Sequence, residues 1–372
     1  MFCDACGATN RDEARFCRSC GAALAGSVEA LDTEAAPTRE APDVPAAVRL
    51  ALQDGFDVLR SLGQGGMGTV YLARERALDR LVAVKVLRSD LSSDAKGVER
   101  FLQEARVAAR LRHPGILSIH AVGTRNGLHY FTMDYLDGRT LDAYVKGESP
   151  AGLDPARARA IVADVARAVG HAHRHDVVHR DLKPNNVMVD SSERVFVLDF
   201  GLAKPRSSGE LTTVGAIVGT PQYMSPEQIE GRAATRQTDV YALGLVYYFL
   251  LTGEHLVQGD SLSQMMASHL SGSCRARLRS DTRIPEADRA VLLALVERDD
   301  SRRAGSMDDV LRLLERAASP AAPPAAGQEQ PAPVRGPDDT HPAMSTPLSP
   351  GRRATRRKIQ GLLDRISNAK KR

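Results

Sequence analysis

The stretch His179 to Asn186 reads HRDLKPNN. Its carboxylate, Asp181, is boxed in by Arg180, Lys183 and the amide of Asn186. A loop that merely closes a surface has no need of that company. The set suits a reaction that needs an acid, a cation two residues on and an amide five residues on. Leu62 to Val70 reads LGQGGMGTV, in which Gly63, Gly65 and Gly68 form GxGxxG with Val70 two beyond. Glycines let a hairpin backbone come close to phosphate groups, although a glycine-rich turn by itself needs no ligand. This is not a dinucleotide fingerprint, because strand-like TVYLA follows where that fold needs a helix. Lys85 ends VAVK and lies on the opposite strand face from Val84 and Val86. If those valines enter a core, Lys85 points into a cleft; otherwise it is a surface lysine. Glu104 follows on the amphipathic RFLQEARVAARL, with Leu102, Ala105 and Ala109 as its expected inner face. It could pair with Lys85, where an ordinary helical glutamate is solvated.

The elements that must position these residues change in texture along the chain. Residues 56–135 alternate short β-like runs (TVYLA, LVAVKVL, LHYFTMDYL) with a helical stretch from Ala95 to Leu111. Beyond Leu141 the pattern is mostly helical, interrupted by NVMVD and VFVLDF. This predicts a strand-rich small lobe followed by a helical large lobe, with a cleft between them. The longest apolar run, Val240 to Leu251, is too short to span a bilayer and reads as a buried helix.

The ordered set GxGxxGxV, VAVK, a helical glutamate, HRDLKPNN, DFG (Asp199 to Gly201) and SPE (Ser225 to Glu227) resembles the protein-kinase signature set. The resemblance covers roughly residues 56–318. HRDLKPNN with GTPQYMSPE looks like a serine/threonine kinase, and the GGMG tip with DFGLAKP looks like the bacterial eukaryotic-like branch. It implies an α+β, bilobal kinase fold that uses ATP and Mg²⁺. By the same resemblance Asp181 accepts or orients the substrate hydroxyl proton, and Lys183 neutralises the moving γ-phosphoryl group. Asn186 and Asp199 hold Mg²⁺, a hard ion that wants oxygen ligands. Lys85, held by Glu104, grips the α and β phosphates. The loop from Leu62 through Gly63, Gln64, Gly65, Gly66, Met67 and Gly68 covers the nucleotide. Adenine lies between Leu62, Val70 and Ala83 above and Met188 below. Asp134, Tyr135 and Leu136 form the hinge, with Met133 as gatekeeper. Phosphoryl-transfer transition states spread negative charge over oxygens, so catalysis is mostly positioning and electrostatics. That accounts for an acid, a cation and an amide crowding one loop.

The resemblance also bears on substrate and control. Lys183 and Thr220 approach the catalytic aspartate and favour serine or threonine acceptors. Glu227 pairs with Arg303. Thr212 or Thr213 is the expected activating phosphosite, facing Arg180. The chain departs from the family at DDSRR, where DPxxR is usual; Asp300 replaces the proline, which puts local stiffness there in doubt. Two other classes compete. A pseudokinase scaffold usually lacks the equivalents of Lys85, Asp181 or Asp199, and none is missing. A small-molecule kinase has no use for GTPQYMSPE, a segment built to seat a peptide. The histidines His171, His173, His175 and His179 suggest a metal, but His179 belongs to the catalytic-loop pattern and His173 to the preceding helix end.

The rest of the chain reads as appendages. Cys3, Cys6, Cys17 and Cys20 make two CxxCG knuckles ten residues apart in a segment (1–25) too small to fold on apolar burial alone. It resembles bacterial zinc ribbons and implies Zn²⁺ and a docking partner; a redox dithiol or iron remain alternatives. Residues 26–52 and 319–350 are rich in Ala and Pro and read as flexible linkers flanking a catalytic domain at 53–318. Residues 351–372 hold nine Lys/Arg and one acid, so this tail carries +8 and, from a total of +4, the remainder carries −4. The body is therefore not a basic nucleic-acid binder. The tail's Ile359, Leu362, Leu363 and Ile366 form one helical stripe, which suits an acidic partner or anionic membrane surface, and Thr355 is a candidate phosphosite within it. With 42% hydrophobic and 26% charged residues and no signal-like start, the expected setting is a soluble, cytoplasmic protein, with peripheral membrane contact through the tail.

Overall fold

The computed structural model describes residues 43–92, 94–200 and 221–319. The chain divides into two compact units, Met1–Pro42 and Asp43–Arg372, and every described residue belongs to the second. The cysteine module, Thr212, Thr213, Thr220 and the basic tail with Thr355 lie outside the described residues.

The small lobe is an antiparallel five-stranded sheet in the order β1-β2-β3-β5-β4. Its strands are β1 (Phe56–Gln64), β2 (Gly68–Glu75), β3 (Arg80–Leu87), β4 (Ile119–Arg125) and β5 (Leu128–Asp134). The short β-like runs fall on β2, β3 and β5 as their alternation predicts. The helix α3 (Ala95–Ala108) follows a short turn of helix, α2 (Ser89–Ser92), and is capped by Asp94, whose carboxylate accepts the Lys96 and Gly97 N–H groups. Its buried side is Phe101, Glu104, Ala105 and Ala108. The expected stripe is therefore rotated: Ala105 is inside, Leu102 is half-buried and Ala109 is exposed at the helix end. Phe101 meets Phe131 of β5, with ring centroids 5.0 Å apart, in a core that also holds Ala83, Leu87, Ala105 and Met133.

The stretch 26–52, read by composition as linker, ends in structure. α1 (Ala46–Leu52) buries Val48, Ala51 and Leu52 and packs against β1. Asp43 accepts the backbone N–H of Ser61 at 2.8 Å. Alanine favours helix as strongly as it fills linkers, so composition alone misassigned these last ten residues.

The large lobe is helical, with a small three-stranded sheet of β6 (Gly138–Thr140), β7 (Val187–Asp190) and β8 (Val195–Val197), in that order. Its helices are α4 (Leu141–Glu148), α5 (Pro155–Arg174), α6 (Pro226–Ile229), α7 (Arg236–Thr252), α8 (Leu262–Ser271), α9 (Ser273–Ser280), α10 (Glu286–Leu295) and α11 (Met307–Ala318). The apolar run Val240 to Leu251 is the interior of α7, buried throughout. A capping box at Thr235 starts α7. Gly253 ends it at φ 69°, and a Cβ there would sit 1.9 Å from the Pro150 carbonyl oxygen. α5 and α10 pack on α7, and α11 packs on α5. The fold positions two things against this core: the loop after α5 and the turn before α6.

Candidate active site

Lys85 sits in the middle of β3, whose interior is buried on both faces. Its own face carries Ala83 and Leu87, so its stem lies in the layer between sheet and α3, with Nζ 5.6 Å from the Phe131 ring centre. Nζ reaches Glu104 at 3.0 Å and Asp199 at 2.8 Å. Burial alone would push the ammonium down, but the carboxylates of Asp199 and Glu104 outweigh it and hold the Lys85 pKa above its ordinary value. Lys85 is thus a fixed cation, tied to one carboxylate from its own lobe and one from the other.

The second cluster is the loop between α5 and β7. Lys183 Nζ is 3.0 Å from Asp181 Oδ2, and Asn186 Nδ2 donates to the Asp181 carbonyl at 2.8 Å. Leu198 joins the clusters, since its N–H donates to the Asn186 carbonyl at 2.9 Å and Asp199 follows it in the chain. His179 Nε2–H donates to the Leu198 carbonyl at 2.9 Å, and its ring lies 4.9 Å from Phe200. Arg180 and Asp199 take positive φ angles of 66° and 42°. Such backbone costs free energy in a non-glycine residue and persists where the surroundings over-determine it.

At Arg180 the conformation is over-determined by Asp239 in the first turn of α7, fully buried. Its two oxygens accept the backbone N–H groups of His179 and Arg180, each at 2.8 Å, and His173 Nε2–H donates to it at 2.7 Å. Sequence reasoning missed Asp239. The available signal was an acid at the mouth of an otherwise apolar helix, which stays buried only with partners. His173 and His179 are likewise spent on hydrogen bonds within the fold.

The glycine loop shows what its glycines are for. A Cβ on Gly68 would lie 2.3 Å from the Val86 carbonyl oxygen, so the strand pairing itself demands glycine there. Around Gly63 and Gly66 a Cβ would meet nothing within 4 Å, and at Gly65 only the Gly68 oxygen at 3.8 Å. These three keep space that the protein does not fill. Gln64 is exposed at the tip; Met67 and Val70 pack on the core beneath. Ala83 is buried opposite Met133 in the β3–β5 register, while Leu62 and Leu136 are open at the cleft edge and half-buried respectively. Met188 lies half-buried on the central strand of the second sheet. The Asp134 side chain turns away to accept from His120 Nε2 at 2.7 Å.

Below the cleft, Glu227 and Arg303 form the expected pair, and the departure at DDSRR is made good locally. Asp299 caps the turn Asp300–Arg302, accepting from the Ser301 N–H at 3.1 Å. Asp300 takes a 2.8 Å bond from Arg232, which also reaches Glu230. An ion pair here ties the loop down where the family uses proline.

Comparison with known proteins agrees with this geometry. The protein kinase domain model matches residues 56–313, and a zinc-ribbon domain model matches residues 2–24. The chain is 36% identical over 255 residues to serine/threonine-protein kinase PrkC of Bacillus subtilis, covering 68% of this chain and 39% of that one. It is 39% identical over 258 residues to serine/threonine-protein kinase PknB of Mycobacterium tuberculosis, covering 68% and 41%. It thus spans about two fifths of the length of these relatives. The crystal structure of the Mycobacterium tuberculosis PknI kinase domain superposes with TM-score 0.54 at 30% identity, over 71% of this chain and 96% of that one. With its motifs, its bilobal fold and the joined Lys85 and Asp181 clusters, the chain belongs to the protein kinase family and carries a zinc-ribbon segment at its start.

Proposed function

We propose that this chain is an ATP-dependent serine/threonine protein kinase of bacterial intracellular signalling, acting on protein substrates and on itself. The observation that carries the reading is Lys85, held between Glu104 and Asp199 while Asp181, Lys183 and Asn186 stand ready on the adjoining loop. The donor set fits a magnesium nucleotide: hard oxygen donors on Asn186 and Asp199, a buried cation, and unfilled space over Gly63 and Gly66. Bound ATP with Mg²⁺ would supply the γ-phosphoryl group and the divalent charge. The chain supplies the rest. Asp181 orients a serine or threonine hydroxyl and takes its proton at a carboxylate oxygen. Lys183 offsets negative charge next to that oxygen. Lys85 holds the phosphates, and Glu104 holds Lys85.

The appendages carry their own readings. Cys3, Cys6, Cys17 and Cys20 would hold Zn²⁺ as four thiolates in a docking module. Phosphorylation of Thr212 or Thr213 would bring charge to Arg180. The basic tail would engage an acidic partner or anionic membrane surface, relieved by phosphate on Thr355. Among the described residues no helix is long and apolar enough to cross a membrane.

Transfer from labelled ATP to the protein itself and to a generic basic protein tests the central reading, with wild type and Asp181→Asn side by side. Labelling should drop at least about a hundredfold in the variant, the scale of losing a general base. Equal labelling would leave a nucleotide-binding scaffold as the better description.

A further inference from the structure

The turn Pro221–Tyr223 leads into α6 and opens the described part, residues 221–227, of the segment that would seat a peptide. His269 of α8, only 2% exposed, lies beneath it. Its Nε2 is 2.9 Å from the Pro221 carbonyl oxygen, and its Nδ1 is 2.9 Å from the Tyr241 hydroxyl. A carbonyl only accepts, so Nε2 carries the proton; Nδ1 of the neutral ring then accepts from Tyr241. The bonding on each side selects one tautomer. Burial pushes the His269 pKa down to about 4, so the ring stays uncharged in ordinary buffers.

Tyr241 is itself pinned. Its ring lies under the Arg303 guanidinium at 4.8 Å, and Arg303 is locked to Glu227 of α6. The other end of the turn has a similar device: the Tyr223 hydroxyl and His255 Nδ1 share a hydrogen bond of 2.9 Å, and His255 stacks on Phe249 with centroids 5.4 Å apart. Met224, next to the turn, packs on Ile229, Met266 and Leu270, which brings α8 against α6. None of these groups belongs to the Lys85 or Asp181 clusters.

We propose that His269 is a positioning residue for the phosphate acceptor. Relaying the rigidity of α7 through Tyr241, it holds the Pro221 carbonyl and so sets where a serine- or threonine-bearing segment lies relative to Asp181. The proposal rests on the protein-kinase reading above. It concerns the acceptor side alone: nothing in the relay reaches the residues around the glycine loop.

The test uses the full chain and a synthetic serine/threonine peptide, with His269→Leu, His269→Gln and Tyr241→Phe compared with wild type. His269→Leu should raise the peptide KM about tenfold, the scale of one well-placed hydrogen bond. The ATP KM and the slow hydrolysis of ATP without peptide should stay within about twofold. His269→Gln should recover most of the peptide KM, because its amide N–H can reach the Pro221 oxygen. Tyr241→Phe should shift it in the same direction by about threefold, losing the bond that orients the ring together with a hydroxyl contact to Cys274. A peptide KM that moves no more than the ATP KM, or a Gln variant as impaired as the Leu variant, overturns the proposal. Should His269→Leu fail to fold, the Gln and Phe variants decide alone. A wild-type protein that hydrolyses ATP yet phosphorylates no peptide would sink the protein-kinase reading itself, whereas an active wild type with unmoved peptide KM sinks only the role of His269.

Discussion

Arg303 and Glu227 meet through two 2.8 Å hydrogen bonds, and neither side chain is exposed. Thr238 adds a third bond to the same carboxylate at 2.8 Å. Removing one partner leaves the other charge buried and uncompensated. Arg303→Met should cost about 3–5 kcal/mol of stability, whereas the double change with Glu227→Leu should cost less than the sum of the single changes. Urea unfolding of the four proteins measures this. Burial pushes the Glu227 carboxyl up, but Arg303 outweighs it and holds the pKa below the ordinary 4.5. A depressed carboxylate contributes stability that is present above its unfolded value and lost as pH falls through its folded one. Melting temperature should therefore drop below pH 4.5 more steeply in wild type than in Glu227→Gln.

The glycine loop separates two roles by substitution. Gly68→Ala forces a methyl into the Val86 carbonyl, so its melting temperature should fall by several degrees, as expected for about 1–3 kcal/mol of overpacking. Gly63→Ala meets nothing, so the free protein should melt within about a degree of wild type. Its ATP KM should nonetheless rise severalfold if the space it enters is the one proposed for the nucleotide. Thermal melts with and without ATP, together with ATP kinetics, read both.

Glu104 is buried against Lys85, and burial raises its carboxyl pKa. Keeping its charge there costs stability that the amide of Glu104→Gln does not require. With Asp199 still paired to Lys85, the variant should melt no lower than wild type and still lose about tenfold or more in kcat/KM for ATP, because Lys85 is then held by one charge instead of two. Loss of activity together with a large loss of stability would mean that Glu104 serves the fold rather than the site.

Asp239→Asn keeps the shape but turns an N–H group toward donors at His173, His179 or Arg180. The expected cost is about 1–3 kcal/mol, with kcat lower by at least about tenfold and the ATP KM changed less. Stopped-time phosphorylation assays at several ATP concentrations would show the split.

The sequence made legible the residues whose neighbours are local. Asp181, Lys183 and Asn186 sit on one loop, and their spacing is their geometry. Lys85 and Glu104 were legible because strand and helix periodicity each point a side chain one way, although the helix stripe was rotated by a position. Asp239, His269 and the Arg232–Asp300 pair were not, because each acts on a residue 48 to 68 positions away through contacts that only the packed lobe creates. α1 was hidden by composition, since its alanines and leucines declare themselves only once β1 offers a surface. Its place sets where an N-terminal truncation should end: a cut after Pro42 keeps the Asp43 and Val44 contacts, while one after Pro45 removes them.

The seat of Asp239 in α7 also determines how the catalytic loop can move. The amide hydrogens of His179 and Arg180 are held by a helix that is buried along nearly its whole length. They cannot exchange with solvent deuterium by fraying of the loop alone; the lobe must open with them. Their protection should match that of the α7 interior and fall away from it only in Asp239 variants. Heat should then abolish turnover at the temperature where the large lobe melts, with no earlier loosening of the loop.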